Sequence, residues 1–471
     1  LSLDLGGRRR FHVTNVGGAG MSALAVLLAE MGHDVSGHDP AADTPFLTRL
    51  RALGVSLSTG PARGPLRVPL DALITSTATP EDDPHVREAR AMGVPVLHRS
   101  VALAALCRRR LCVAVAGTHG KTTTSALLAT VLAAVLADTD RRPGWMVGSA
   151  VPGLGTAAAW GGEGPLVVEA DESDGSFLAL GAQAGVVTNL EPDHLEHWGD
   201  HVALVGAFER FVAGLGGPVV LCADDPGASA LQAHADRAVT YGTSQGVDYR
   251  YDAVAPEGTG VRFRLRHDDV AHDVYLPLAP GAHNAANATA ALAMAHRLGV
   301  DLSQAVAALT GFGGVARRFE RRAQAAGVTF VDDYAHLPTE TRAAIAAAVP
   351  LARSGGGRVV CAFQPHRYSR TESLWESFAD AFEGADLLVL TDVYPAGEAP
   401  RPGISGRLVL KAVLDAHPRA ATAYLPDLDD VAAYLTATLR PGDVCLTLGA
   451  GDLTTIPDQV AARLGEREAR A

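Results

Sequence analysis

Cysteine is scarce in this sequence: Cys107, Cys112, Cys222, Cys361 and Cys445 are scattered, with no CxxC pair among them. That spacing excludes the usual cysteine metal site and a disulfide framework. The five residues are expected to be reduced and mostly buried, as in a cytoplasm. Long apolar runs are missing too. No stretch reaches the ~20 residues of a membrane span, and "LLATVLAAVLA" is too short. The start, "LSLDLGGRRRFHV", lacks the apolar core that a signal peptide needs. Positive charge is in deficit, with a formal net charge of −12. Arg8–Arg10 reads as a short solvated arm, so neither nucleic acid nor a membrane is an expected partner. Lysine is rarer still, with only Lys121 and Lys411.

What remains is a globular composition, 48% apolar and 20% charged. At 471 residues the chain exceeds one ordinary core, and about three domains are expected. Composition and pattern place them at 1–107, 108–313 and 314–471. In the first, "RFHVTNV", "HDVSGHD" and "ALITSTA" read as strands. "MSALAVLLAEMG" reads as a helix with Leu24, Leu27, Leu28 and Met31 on one face and Gly32 as its stop. In the second, "LCVAVAG", "PLVVEADES" and "AGVVTNLEPDH" carry strands, and a helix from about 284 to 298 ends at Gly299. In the third, "VTFVDDYAH", "RVVCAFQPH", "DLLVLTDVYP" and "DVCLTLGAGD" each run from a strand into polar residues. The alternation predicts an α/β chain: a Rossmann-like first domain, a central phosphate-loop domain with a parallel sheet, and a Rossmann-like third domain. Ligands of such sheets gather at the C-terminal ends of the strands.

"VAVAGTHGKTTTSALLA" joins a strand to a helix through glycines. Such a loop points several N–H groups, and the positive end of the helix, at one anion. Gly117, Thr118, His119, Gly120, Lys121, Thr122 and Thr123 are the candidate nucleotide-phosphate cradle. Lys121 would neutralise β/γ-phosphate charge and the Thr122 hydroxyl would hold Mg²⁺. Val115 stands where the longer GxxxxGK[ST] pattern needs its first glycine, which argues against an ordinary motor or kinase loop. In "VEADESDGSF", Glu169, Asp171, Glu172 and Asp174 crowd one loop, and their charges repel unless cations share the site. His194 lies just past the next strand end, with Asp193 beside it. In the third domain Tyr334 and His336 follow one strand, and His366, Arg367 and Arg370 follow another. Two arginine forks in one loop suit an acidic substrate or an acyl phosphate. "NVGGAGMSA" can hold a pyrophosphate through Gly17, Gly18, Gly20, Met21 and Ser22. Asp39 sits where the acid of a dinucleotide fold would meet a ribose. From these residues alone an NAD(P)-dependent oxidoreductase and a sugar-nucleotide enzyme remain open for that domain. A nucleotide-sensing regulator is a third possibility.

Taken together, the motifs resemble the Mur ligases, the cytoplasmic enzymes that build the peptide of bacterial cell-wall precursors. GTHGKTTT resembles their ATP loop, "TNLEPDH" their NxxPDH, "HNAANATAA" their HNxxNxxAA, and "NVGGAGMSA" their GIGGxGMSG, with Asn15 and Ala23 in place of two glycines. "VDDYAHLPTE" is similar to a DYAHHP motif in which Leu337 replaces the second histidine. The resemblance implies an amide-bond-forming ligase that uses ATP and Mg²⁺, for which Mn²⁺ can substitute. Thr122, Glu169 and His194 would be metal positions. His283, Asn284 and Asn287 would serve the adenine, with Asn287 reading its edge. Arg318 (or Arg317) and Asp333 would serve ATP. Asp39, Asp171, Glu172, Ser173, Tyr334, His336, His366, Arg367 and Arg370 would serve the other substrates, and Lys121, Glu169, His194, His336, Arg367 and Arg370 the catalysis. The implied substrates are UDP-N-acetylmuramate and L-alanine, on a monomer or homodimer; a tripeptide-adding recycling ligase is the alternative. Several relatives hold a second Mg²⁺ through a carbamoylated lysine. No lysine follows "EPDH" in the central domain here, so that device is not expected.

Overall fold

The computed structural model describes residues 3–41, 44, 46–60 and 64–470. They form two compact units, one of Leu1–Asp252, Arg264–Val274 and Ala286–Gly313, the other of Ala253–Phe263, Tyr275–Ala285 and Gly314–Ala471.

The first unit opens with five parallel strands, β1 (Arg10–Thr14), β2 (Asp34–Asp39), β3 (Ser56–Thr59), β4 (Ala72–Thr75) and β5 (Val96–His98), in the order β3-β2-β1-β4-β5. The order reverses between β1 and β4, the point where sheets of this kind take ligands at their strand ends. The helix Ala19–Glu30 follows β1. It is buried continuously from Met21 to Leu28, so the single apolar face read from the sequence is corrected to an apolar cylinder. Met31 caps it, and Gly32 turns the chain at φ +88°.

A ten-stranded sheet follows. Its strands are β6 (Cys112–Ala116), β7 (Gly144–Met146), β8 (Ala158–Ala159), β9 (Leu166–Glu169), β10 (Ala184–Val187), β11 (Val219–Cys222), β12 (Ala238–Gly242), β13 (Tyr249–Glu257), β14 (Gly260–His267) and β15 (Val270–Leu276). Their order is β15-β14-β13-β12-β11-β10-β6-β9-β7-β8. The centre β10-β6-β9 is parallel and apolar except for Glu169, the last residue of β9, as strands covered on both faces must be. All three carry their polar residues at or just beyond their C-terminal ends. The run β13–β15 was not read from the sequence.

The second unit holds β16 (Glu320–Ala325), β17 (Val328–Asp333), β18 (Val359–Phe363), β19 (Leu387–Leu390), β20 (Thr422–Tyr424) and β21 (Val444–Leu448), in the order β16-β17-β21-β18-β19-β20. Only the edge strand β16 pairs antiparallel. Strand residues alternate between two cores. Val359, Cys361 and Phe363 face one, with Ile345 and Val413 from covering helices. Val360 and Ala362 face the other, with Val431, Leu435, Ile456 and Val460. A period of two thus buries both faces, the doubly wound arrangement expected from the alternating pattern. All five cysteines are buried and unbridged, and no described helix is long and apolar enough to cross a membrane.

Candidate active site

The loop after β6 needs its glycines. Gly117 has φ +130° and Gly120, which caps the helix Lys121–Val135, has φ +79°. A Cβ on Gly120 would lie 2.5 Å from Asn287 Oδ1. Asn287 is buried and therefore packs on the phosphate loop itself, within the helix Ala282–Arg297. Asn284 donates Nδ2 to Pro280 O at 2.8 Å. His283 lies in the first turn of the same helix, with its side chain exposed.

A second loop locks the first. Asn189 Oδ1 accepts from His119 N at 2.7 Å, and its Nδ2 donates to His119 O at 3.1 Å. Thr188 Oγ1 donates to the same carbonyl. Thr118 Oγ1 donates to Glu191 O and accepts from Glu191 N. The sequence reading singled out Asp193 and His194 in this segment and missed Thr188 and Asn189. The available signal was an amide side chain in "TNLEPDH", two residues past the end of β10, the strand adjacent to β6.

Lys121 Nζ donates to Gly117 O at 2.6 Å, Thr118 O at 3.1 Å and Glu172 Oε1 at 2.9 Å. Burial works against its charge, but Glu172, Asp171 and Glu169 outweigh that and raise its pKa. Burial likewise raises the Glu172 carboxyl, with Lys121 pulling the other way. Thr122 Oγ1 donates to Glu169 Oε1 at 3.0 Å, and Gly148 N to Glu169 Oε2 at 2.8 Å. His194, at φ +53°, starts the short helix Leu195–Trp198 and lies 3.4 Å from Asp193 Oδ2.

Two of the four acids in "VEADESDGSF" are paired with protein cations. Glu172 pairs with Lys121, and Asp174 pairs with Arg99 at 3.0 Å. Asp171 Oδ1 accepts from Ser173 N. The two cations come from the helix after β6, beside β9, and from the helix after β5 of the five-stranded sheet. Asp39 is buried, its Oδ2 accepts from Gly17 N at 2.7 Å and its Oδ1 from Ala41 N at 2.9 Å, so its side chain shapes the first glycine loop. In that loop Asn15 adopts φ +51° and its carbonyl accepts from Gly18 N, so the turn survives the missing glycine. Gly18, Gly20, Met21 and Ser22 form the helix start, and Ala23 is buried inside it.

In the second unit Arg317 and Arg318 both lie over the Tyr334 ring, at 4.9 and 5.1 Å. Arg317 donates to Gly449 O and Gly451 O, so it braces the β21 loop. Asp333 holds the amides of Phe319 and Ala335; burial pushes its carboxyl up to about 6 against the pull of Arg318. His336 Nδ1 bonds Tyr334 O, and its ring lies 5.6 Å from that of His366. Leu337 is 5% exposed. The position of the absent second histidine therefore faces the core, where leucine is the better occupant.

Arg367, at φ +68°, starts the helix Tyr368–Leu374 and donates its amide to Tyr394 O. Arg370 is buried and donates Nη1 to His366 Nδ1 at 3.0 Å. A guanidinium only donates, so a ring proton on His366 belongs on Nε2. Burial, then His336, Arg370, Arg367 and Arg317, push His366 down to about 3. The folded chain therefore binds fewer protons here than the unfolded one. The stabilisation is full above about pH 6.5 and is lost as pH falls toward about 3. Nitrogen-detected NMR of His366 is expected to show a neutral ring at pH 5; a titration near 6.5 would contradict the contact. The sequence reading missed Tyr394, stacked on His366, and Glu398, which holds Ser369. Lys411 is exposed and pairs with Asp415 on its own helix.

Family models match all three segments: "Mur ligase family, catalytic domain" over residues 10–111, "Mur ligase middle domain" over 164–295 and "Mur ligase, glutamate ligase domain" over 317–451. The UDP-N-acetylmuramate–L-alanine ligase of Kineococcus radiotolerans is 47% identical over 97% of both chains. That of Renibacterium salmoninarum is 42% identical over 96% of each. Among solved structures, the UDP-N-acetylmuramate-alanine ligase MurC of Thermotoga maritima superposes with a TM-score of 0.80 at 27% identity, covering 98% of this chain and 100% of that one. With the glycine loop, the acidic strand end and the buttressing loop in place, these likenesses have one consequence: the chain belongs to the Mur ligase family.

Proposed function

We propose that this chain uses ATP to join L-alanine to the lactyl carboxylate of UDP-N-acetylmuramate, releasing ADP and phosphate, as a cytoplasmic step of peptidoglycan precursor synthesis. One observation carries the reading. Three separated motifs, GTHGKT, EADES and TNLEP, form a single hydrogen-bonded cradle in a chain similar along its length to alanine ligases.

A carboxylate is a poor electrophile. Its oxygen attacks the γ-phosphorus, the bond to ADP breaks, and the acyl phosphate gains a leaving group. The alanine nitrogen then attacks the carbonyl carbon, phosphate departs and the amine loses a proton. Positioning and charge stabilisation are the protein's main contribution. Lys121 exchanges its loop carbonyls and Glu172 for phosphate oxygens. Thr122 and Glu169 are hard oxygen donors 3.0 Å apart, a set that fits Mg²⁺ or Mn²⁺ with His194 as a further ligand. The metal would supply charge neutralisation at the phosphates. Arg367, Arg370, His366, His336 and Tyr334 place alanine and the acyl phosphate, and Arg318 serves ATP.

The test is phosphate release with UDP-N-acetylmuramate, Mg²⁺ and a panel of amines, with products identified by mass. L-Alanine is expected to exceed glycine by at least about tenfold, the discrimination one methyl group gives in a fitted pocket. Activity is expected without added bicarbonate, since Lys411 is exposed on the helix Gly406–Ala416. A tripeptide product would select the recycling ligase. No product with any amine would end the reading.

A further inference from the structure

The end of β5 carries a residue that the function above leaves unused. Arg99 follows His98 and opens the helix Arg99–Cys107. In the sheet order β5 lies beside β4, so Arg99 stands along the same row of strand ends as the β1/β4 reversal. One prong of its guanidinium faces the first glycine loop: a Cβ on Gly20 would lie 3.2 Å from Arg99 Nη1. The other prong leaves that domain, and Nη2 donates to Asp174 Oδ2 at 3.0 Å.

Asp174 is well prepared for this partner. Burial raises its carboxyl, but the bonds from Ser176 and the charge of Arg99 outweigh burial and hold it below the usual range. Thr77 Oγ1, just past β4, reaches the same oxygen at 3.5 Å. Thr77 in turn meets His98 Nε2 at 3.2 Å. Two residues before Asp174 stands Glu172, the partner of Lys121. A short polar route therefore runs from the first glycine loop through Arg99 and the acidic loop to the ATP lysine.

A planar fork presents separate, directed N–H edges to two anionic acceptors, whereas a lysine offers one point charge. The geometry points to Arg99 as a binding and positioning residue. One prong takes a diphosphate oxygen of the sugar nucleotide, while the other keeps the acidic loop registered against the first domain. This rests on the function proposed above, because it takes the ligand of the first loop to be a nucleoside diphosphate sugar. The rival account is a plain tether between two domains. It differs in one respect: a tether does not care whether the ligand carries a diphosphate.

Calorimetry on the full chain separates them. Arg99→Gln is expected to weaken UDP-N-acetylmuramate by at least about tenfold, the loss of one charge-assisted contact. It should leave uridine and ATP within about twofold, which also shows that the variant is folded. Arg99→Lys is expected to recover part of the loss, because a point charge remains. Asp174→Asn is expected to keep sugar-nucleotide affinity within about threefold, since the diphosphate prong is untouched. Equal affinity of Arg99→Gln and the parent protein would overturn the inference. So would an Asp174→Asn variant as weak as Arg99→Gln, with uridine falling alongside. A parent protein that binds ATP but not UDP-N-acetylmuramate would overturn the functional reading itself. A parent that binds both, with an indifferent Arg99→Gln, removes Arg99 alone.

Discussion

Lys121→Ala is expected to lower steady-state phosphate release by about 10²–10³, the range for removing one transition-state charge donor. The protein should also lose stability, which the loop sequence alone does not suggest. Nζ sits among two loop carbonyls and the almost fully buried Glu172. Removing the ammonium leaves that carboxylate without its cation, and breaking a buried pair costs about 3–5 kcal/mol. The two effects separate in a double variant. Lys121→Ala with Glu172→Gln should regain most of the lost melting temperature while turnover stays down. A folded single variant with near-normal turnover would remove Lys121 from the chemistry.

The second large effect is expected at Gly117→Ala. A φ of +130° is open almost only to glycine, and holding another residue there costs about 1–3 kcal/mol. The new methyl would also overlap Thr188 Oγ1 and approach Asn189 O at 3.0 Å. A side chain can rotate away, whereas a carbonyl belonging to the locking loop cannot. The two loops must therefore separate, which carries the amides of Thr118 and His119 off their positions. A displacement of about 1 Å can cost about 10² in rate, so turnover should fall by that order and the KM for ATP should rise. Adding Thr188→Ala removes only the side-chain overlap and should not restore activity. Full rescue by that double variant would show that the backbone tolerates the methyl.

Legibility in the sequence followed the range of the interactions. Local patterns were clear. The runs at β6, β9, β10, β17, β18, β19 and β21 are apolar and bounded by polar residues, and each became a strand. Asn15 was readable as a tolerated left-handed residue because that property is local. Pairings between distant segments were not legible. Nothing in "EADESDGSF" says that Asp174 belongs to Arg99 and Glu172 to Lys121, since those partners lie 75 and 51 residues away. Asp39 has the spacing of a ribose-binding acid, yet its carboxylate turns to Gly17, and spacing does not encode direction. The β13–β15 run was overlooked because its strands alternate apolar and charged residues, a weaker signal than the solid runs of the central sheet.

The shortage of lysine also has a practical use. Its two ammonium groups differ sharply in access: the Lys411 side chain is 60% exposed, whereas that of Lys121 is 13% exposed and tied to Glu172. An amine-directed fluorophore should therefore attach, among side chains, almost wholly at Lys411. The protein can thus be tagged at one defined side chain of its last domain without engineering, leaving a reporter with which to follow that domain while nucleotides are added.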